Sequence, residues 1–208
     1  MPFSDPLADG PVIQGSSQRA LDQGMTLDGT LALIAEARAT IPVVLFSYLN
    51  PLLAAGRDVL ERAAKAGVQG VLVTDLPVGM DPEREAWLGG GPLEFVRLVA
   101  PTTPRLRMAE IAKHGSGFVY LISRLGVTGM QDQVAADLPR SLADLRSVCE
   151  LPICVGFGIS NAAQAREIGA LADGIVVGSA LVRAAESGVD GALSFVRELR
   201  TALDSVAP

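Results

Sequence analysis

Short, unbroken apolar runs alternate along this chain with longer stretches whose apolar residues recur at helical spacing. Val43-Val44-Leu45-Phe46, Val71-Leu72-Val73-Thr74, Phe118-Val119-Tyr120-Leu121-Ile122, Ile153-Cys154-Val155-Gly156-Phe157 and Gly174-Ile175-Val176-Val177 read as strands. A sixth strand, 93–99, is interrupted by Glu94 and Arg97. Continuous rather than alternating hydrophobicity marks strands covered on both faces, as in parallel sheets. Helical periodicity lies between them: Leu27, Leu31 and Ile34; Val59, Leu60 and Ala63 within 57–66; a short helix over 81–88; Leu142, Leu145 and Val148; and finally Ala192, Phe195, Val196, Leu199 and Leu203. Residues 39–56 carry no charge, but Pro42, Asn50 and Pro51 divide them into a strand and a turn rather than a spanning helix.

Repeated strand–helix units mean an α/β protein, either a doubly wound sheet or a (β/α)8 TIM barrel. No dinucleotide fingerprint follows the first strand, which favours the barrel. Such barrels run to about 250 residues, whereas this chain has 208 and supplies six complete strands and a stub. The expectation is one barrel domain over 1–208 that is incomplete at the N-terminus, with strand 1, helix 1 and most of strand 2 absent. A composition of 49% hydrophobic and 19% charged residues fits a globular core. The net charge of −6, with no basic block, argues against nucleic acid or an anionic membrane as partner. Asp5 and Asp9 stand where a signal peptide has its basic region, so the expected location is cytoplasmic. Cys149 and Cys154 are too few for a zinc site and read as small core fillers.

In a barrel, chemistry collects where strands end and loops begin. Those positions hold Asp9, then Phe46 and Tyr48, then Thr74 and Asp75, then 123–129, Phe157-Gly158 and Gly178-Ser179. Pro2-Phe3-Ser4-Asp5-Pro6-Leu7-Ala8-Asp9-Gly10-Pro11 combines fixed and permissive backbone angles, a stiff loop that holds Asp9 in place. Aromatic and apolar groups with few polar ones suit a flat apolar ligand. Glycine turns after the last two strands let backbone N–H groups approach a phosphate, with a short helix starting at Ser179. The glycine-hinged, partly apolar segment 123–131 fits a lid. His114, the only histidine, reads as a surface residue at a helix end. With no metal-ligand cluster in the sequence, carboxylates are left to do the acid–base work.

These pieces, in this order, resemble the alpha subunit of tryptophan synthase. The resemblance is carried by the opening loop, Ser123-Arg124-Leu125-Gly126-Val127-Thr128-Gly129, Gly156-Phe157-Gly158-Ile159-Ser160 and Gly178-Ser179. It implies retro-aldol cleavage of indole-3-glycerol phosphate to indole and glyceraldehyde 3-phosphate. No cofactor is expected in this chain, pyridoxal phosphate being expected in a beta subunit with which it forms an alpha-beta-beta-alpha heterotetramer. By position, Asp9 matches the catalytic aspartate, and Phe46, Tyr48, Leu72, Thr74 and Tyr120 match the surroundings of the indole. Thr128 matches the lid residue that bonds the aspartate, and Gly129, Phe157, Gly158, Gly178 and Ser179 match the phosphate end. Asp5, Pro6, Asn50 and Pro77 match the face toward the beta subunit. The family's second catalytic carboxylate, a glutamate on the second strand, has no counterpart in this sequence, so the chain as given is expected to be inactive. The alternative is a noncatalytic partner that activates a beta-type subunit. A third reading, indoleglycerol-phosphate synthase, needs a lysine at a strand end, and Lys65 and Lys113 both fall in helical stretches.

Overall fold

The computed structural model describes residues 1–122, 137–156 and 158–206. Its strands are β1 (Val44–Ser47), β2 (Gly70–Val73), β3 (Glu94–Val99), β4 (Val119–Ile122), β5 (Ile153–Gly156) and β6 (Gly174–Val176). They form one sheet in chain order, every neighbouring pair parallel. In register, Phe46 lies beside Leu72 and Leu72 beside Val96, while Leu98, Tyr120, Cys154 and Gly174 continue across the later strands. Leu72, Val96 and Tyr120 pack together on the concave face. Val71, Val73 and Phe95 on the other face join one core with the early helices, and Val99, Val119, Leu121, Ile153 and Val155 join a second with the later ones. Both faces are covered, which is why the strands read as unbroken apolar runs. The curled sheet is a partial (β/α) barrel.

The helices are α1 (Pro11–Asp22), α2 (Leu27–Ala37), α3 (Leu49–Ala54), α4 (Val59–Ala66), α5 (Pro82–Gly89), α6 (Arg105–Lys113), α7 (Leu138–Arg146), α8 (Ala162–Gly169), α9 (Ser179–Ala185) and α10 (Val189–Asp204). Lys65 and Lys113 do lie in helices, in α4 and α6. Two segments correct the sequence reading. The turn expected after β1 is the helix α3, because Pro51 falls in its first turn, where a backbone N–H has no intrahelical acceptor to lose. Helix α1 follows the opening loop directly, with Pro at its start and none of its residues buried, so it has no apolar stripe to betray it.

Arg97 does not interrupt β3. It is 4% exposed, lies 3.9 Å over the Phe95 ring and pairs with Glu85 of α5 at 2.5 Å. Glu94 is exposed at the strand's start. Helix α1 packs against α9, where Arg19 pairs with Glu186 at 2.9 Å. Among the described residues no helix is long and apolar enough to cross a membrane.

Candidate active site

The opening loop is held by side chains as well as by its prolines. Tyr48, buried at the end of β1, donates its hydroxyl to Asp9 Oδ2 at 3.1 Å and accepts from Ala8 N at 2.9 Å. Phe3 lies against the Tyr48 ring at 5.3 Å. Gln14, one turn into α1, donates Nε2 to Asp9 O at 2.8 Å. The backbone at Tyr48 is fixed in turn, because Leu49 N donates to Asp75 Oδ1 at 2.8 Å. Burial, then the neighbouring Asp9 carboxylate, pushes the Tyr48 phenol above its ordinary value, so Tyr48 meets Asp9 as a neutral donor.

Asp9 opens into a cavity of about 450 Å³ at the C-terminal ends of the strands. Phe46, Tyr48, Thr74 and Tyr120 form one wall, and Gly158, Gly178 and Ser179 form another. Eight of the residues singled out from sequence therefore share one space. Thr74 turns its hydroxyl toward Ser47 O at 3.4 Å. Phe46 meets Tyr120 edge to face, the centroids 6.4 Å apart and the rings at 82°. Burial pushes the Tyr120 phenol up to about 12. Leu72 does not line the cavity; it is buried beneath it against Val96 and Tyr120. Thr128, Gly129, Phe157 and the expected lid lie outside the described residues. Asp5, Asn50 and Pro77 are exposed on the opening loop, at α3 and on the loop after β2, and Pro6 is half-buried.

The glycines separate into distinct roles. A Cβ on Gly156 would lie 2.5 Å from the Tyr120 hydroxyl oxygen, so this residue is bare to admit the tyrosine ring. Gly158 has φ +89°, a conformation that glycine adopts without strain. Gly178 precedes α9, and a Cβ on it would lie 3.9 Å from Ile13 Cδ1 of α1, an ordinary contact. Sequence reasoning missed Ile13, Ser16, Ser17 and Ala20, the α1 contribution to the lining. Their only signal was a small, polar segment directly after the shaped loop. His114 is exposed at the end of α6, its Nδ1 2.8 Å from Glu110 O, and is not among the lining residues. Both cysteines are free and half-buried, and the described residues hold no cluster of metal-ligating side chains.

The family profile of the tryptophan synthase alpha chain matches residues 1–207. The chain belongs to this family. It is 51% identical to the tryptophan synthase alpha chain of Chromobacterium violaceum over 191 residues, covering 90% of this chain and 73% of that one. To the alpha chain of Synechococcus elongatus it is 44% identical over 209 residues, covering 98% and 79%. Among solved structures it is similar to tryptophan synthase of Mycobacterium tuberculosis, with a TM-score of 0.88, 35% identity and coverage of 97% and 78%. It also resembles the alpha subunit of Legionella pneumophila, with a TM-score of 0.83, 31% identity and coverage of 99% and 80%. Tryptophan synthase alpha chains are lyases that cleave indole-3-glycerol phosphate in tryptophan biosynthesis. An apolar wall beside a carboxylate, continued by glycine turns, suits a substrate with a flat ring at one end and a phosphate at the other.

Proposed function

We propose that Asp9 is the carboxylate that stabilises the reacting indole of indole-3-glycerol phosphate. The observation that carries this reading is the Tyr48–Asp9 hydrogen bond in the lining of a cavity that Gly158, Gly178 and Ser179 also line. In the reaction a proton adds to indole C3, and the ring becomes a cation with its charge shared by N1. A carboxylate accepting the N1–H stabilises that charge as it develops. The bond from C3 to the glycerol carbon then breaks and its electrons return to the ring. The hydroxyl on that carbon loses its proton and becomes the aldehyde of glyceraldehyde 3-phosphate. The proton lost by the hydroxyl offsets the one added at C3, so atoms and charge balance without an oxidant or a reductant.

The remaining roles follow the cavity. Phe46 and Tyr120 flank the ring, Tyr48 orients Asp9, Thr74 closes the side near β2, and Leu72 supports Tyr120 from below. Backbone N–H groups at Gly158, Gly178 and Ser179, with the Ser179 hydroxyl, receive the phosphate together with Phe157 and Gly129. The family resemblance assigns Thr128 the lid position whose side chain bonds Asp9. Asp5, Pro6, Asn50 and Pro77 meet a beta subunit in the cytoplasm, and pyridoxal phosphate belongs to that partner. Residues 1–208 act as one barrel domain.

The test is Asp9→Asn in a chain extended by the glutamate-bearing second strand of the family, read by indole release and by calorimetric binding of indole-3-glycerol phosphate. Loss of such a group lowers the rate by about 10²–10⁴, and affinity should stay within a few-fold of the parent. A variant that keeps more than half its rate would remove Asp9 from the chemistry. If the extended parent chain also releases no indole yet stimulates a beta subunit, the noncatalytic reading holds instead.

A further inference from the structure

The loop after β2, residues 74–81, exposes Pro77 and Met80 while its backbone is gripped from several elements. Arg97, on the convex face of β3, donates Nη1 to Leu76 O at 3.2 Å, Nη2 to Glu85 Oε2 at 2.5 Å and Nε to His114 O at 3.1 Å. The other oxygen of Glu85 accepts from Gly79 N at 2.6 Å. Arg107 of α6 donates to Val78 O, and Met80 N closes a turn onto Pro77 O at 3.0 Å. Leu76, Val78 and Gly79 are thus each bonded by a side chain from β3, α6 or α5. At the head of the loop, Thr74 N bonds to Ser47 O at 3.1 Å and Asp75 bonds to Leu49 N, which ties the loop to the strand end that carries Tyr48. Room for this arrangement is reserved in the sequence: a Cβ on Gly115 would lie 2.8 Å from Arg97 Cγ.

Packing alone does not explain a charged pair here. The Arg97 side chain is 4% exposed and that of Glu85 10%, and an apolar pair of similar volume commonly stabilises a core as well or better. What an apolar pair cannot do is bond a loop's backbone. The planar guanidinium fork can serve several acceptors at once, a geometry lysine lacks. A loop already fixed loses less conformational freedom when a partner docks on it.

We propose that the Arg97–Glu85 pair is a positioning device that presets the 74–81 loop, Pro77 and Met80 outward, for docking of the beta subunit. This rests on the reading that Pro77 meets that partner. The test is the double variant Arg97→Met/Glu85→Leu, which keeps the volume apolar and removes the bonds to the loop. In the free chain, amide exchange at Gly79 and Met80 should accelerate on the order of tenfold, the loss of one such hydrogen bond, while Val96 and Leu121 stay protected. Affinity for the beta subunit, measured by calorimetry, should fall by a similar factor. Unchanged exchange at Gly79, or unchanged affinity in a variant with a protected core, overturns the proposal. Should the double variant not fold, Glu85→Ala removes the Gly79 bond together with the Arg97 pair while leaving Arg97 its bond to Leu76 O, and exchange at Gly79 must still accelerate or the proposal fails. Pro77→Asp separates the two ideas: if it binds the beta subunit like the parent, the partner reading fails, whereas the exchange results stand or fall without it.

Discussion

Tyr120 concentrates much of the site's physics in one side chain. It stands on Leu72 and Val96, meets Phe46 edge-on and uses the missing side chain of Gly156. Its phenol is pushed from 10 to about 12 by burial alone. Between those values the unfolded chain has released the proton and the native state still holds it. The native state then binds more protons, so stability falls as pH rises through that window. Tyr120→Phe should flatten this part of the stability profile, checked by denaturant titrations between pH 10 and about 12. An unchanged slope would show that the phenol is not desolvated. Tyr48 is the complementary case, a phenol whose distinguishing feature is its bond to Asp9 rather than its burial alone.

Helices α8 and α9 frame the glycine turns of the cavity. Helix α8 holds the turn that contains Gly158: Asn161 caps it by accepting from Gln164 N at 2.9 Å, and Ser160 N donates to Gln164 Oε1 at 2.8 Å. Helix α9 begins at Ser179 directly after Gly178. Ser179→Asp or Gly158→Asp would place a carboxylate where the phosphate is proposed to bind, and like charges at short range repel strongly. The expected outcome is a large rise in KM for indole-3-glycerol phosphate with a smaller change in affinity for free indole. Equal losses for both ligands would mean a damaged fold, and an unchanged KM would take these turns out of the site.

At the scale of the whole molecule, the six-stranded sheet of the described residues runs from β1 to β6, and no pairing joins those two strands among them. The nitrogen of Met1 reaches Phe46 O at 2.9 Å on the β1 side, and α1 bridges toward α9. Unpaired strand edges are templates for association. Sedimentation velocity should therefore show self-association that grows with concentration, and a strictly monomeric chain would indicate that the edges are better covered than their backbone suggests. The α/β class, the parallel strands and the glycine turns were legible in the sequence because each depends on local pattern: continuous apolar runs, helical spacing, and residues with special backbone freedom. The opening loop was legible for the same reason, with its prolines and acids in one short run. Other features depend on residues far apart in the chain meeting in space. No local pattern says that Tyr48 will bond Asp9, that Arg97 will be buried on Glu85 rather than break a strand, or that Gly156 serves a tyrosine rather than a phosphate. Helix α1 was silent for a related reason, since the face it turns inward lines a cavity and needs no apolar stripe. Sequence alone determined which segments become strands and which residue types stand at their ends; tertiary structure decided which of them touch, because a polar side chain's role is set by the partner that folding brings within hydrogen-bond distance.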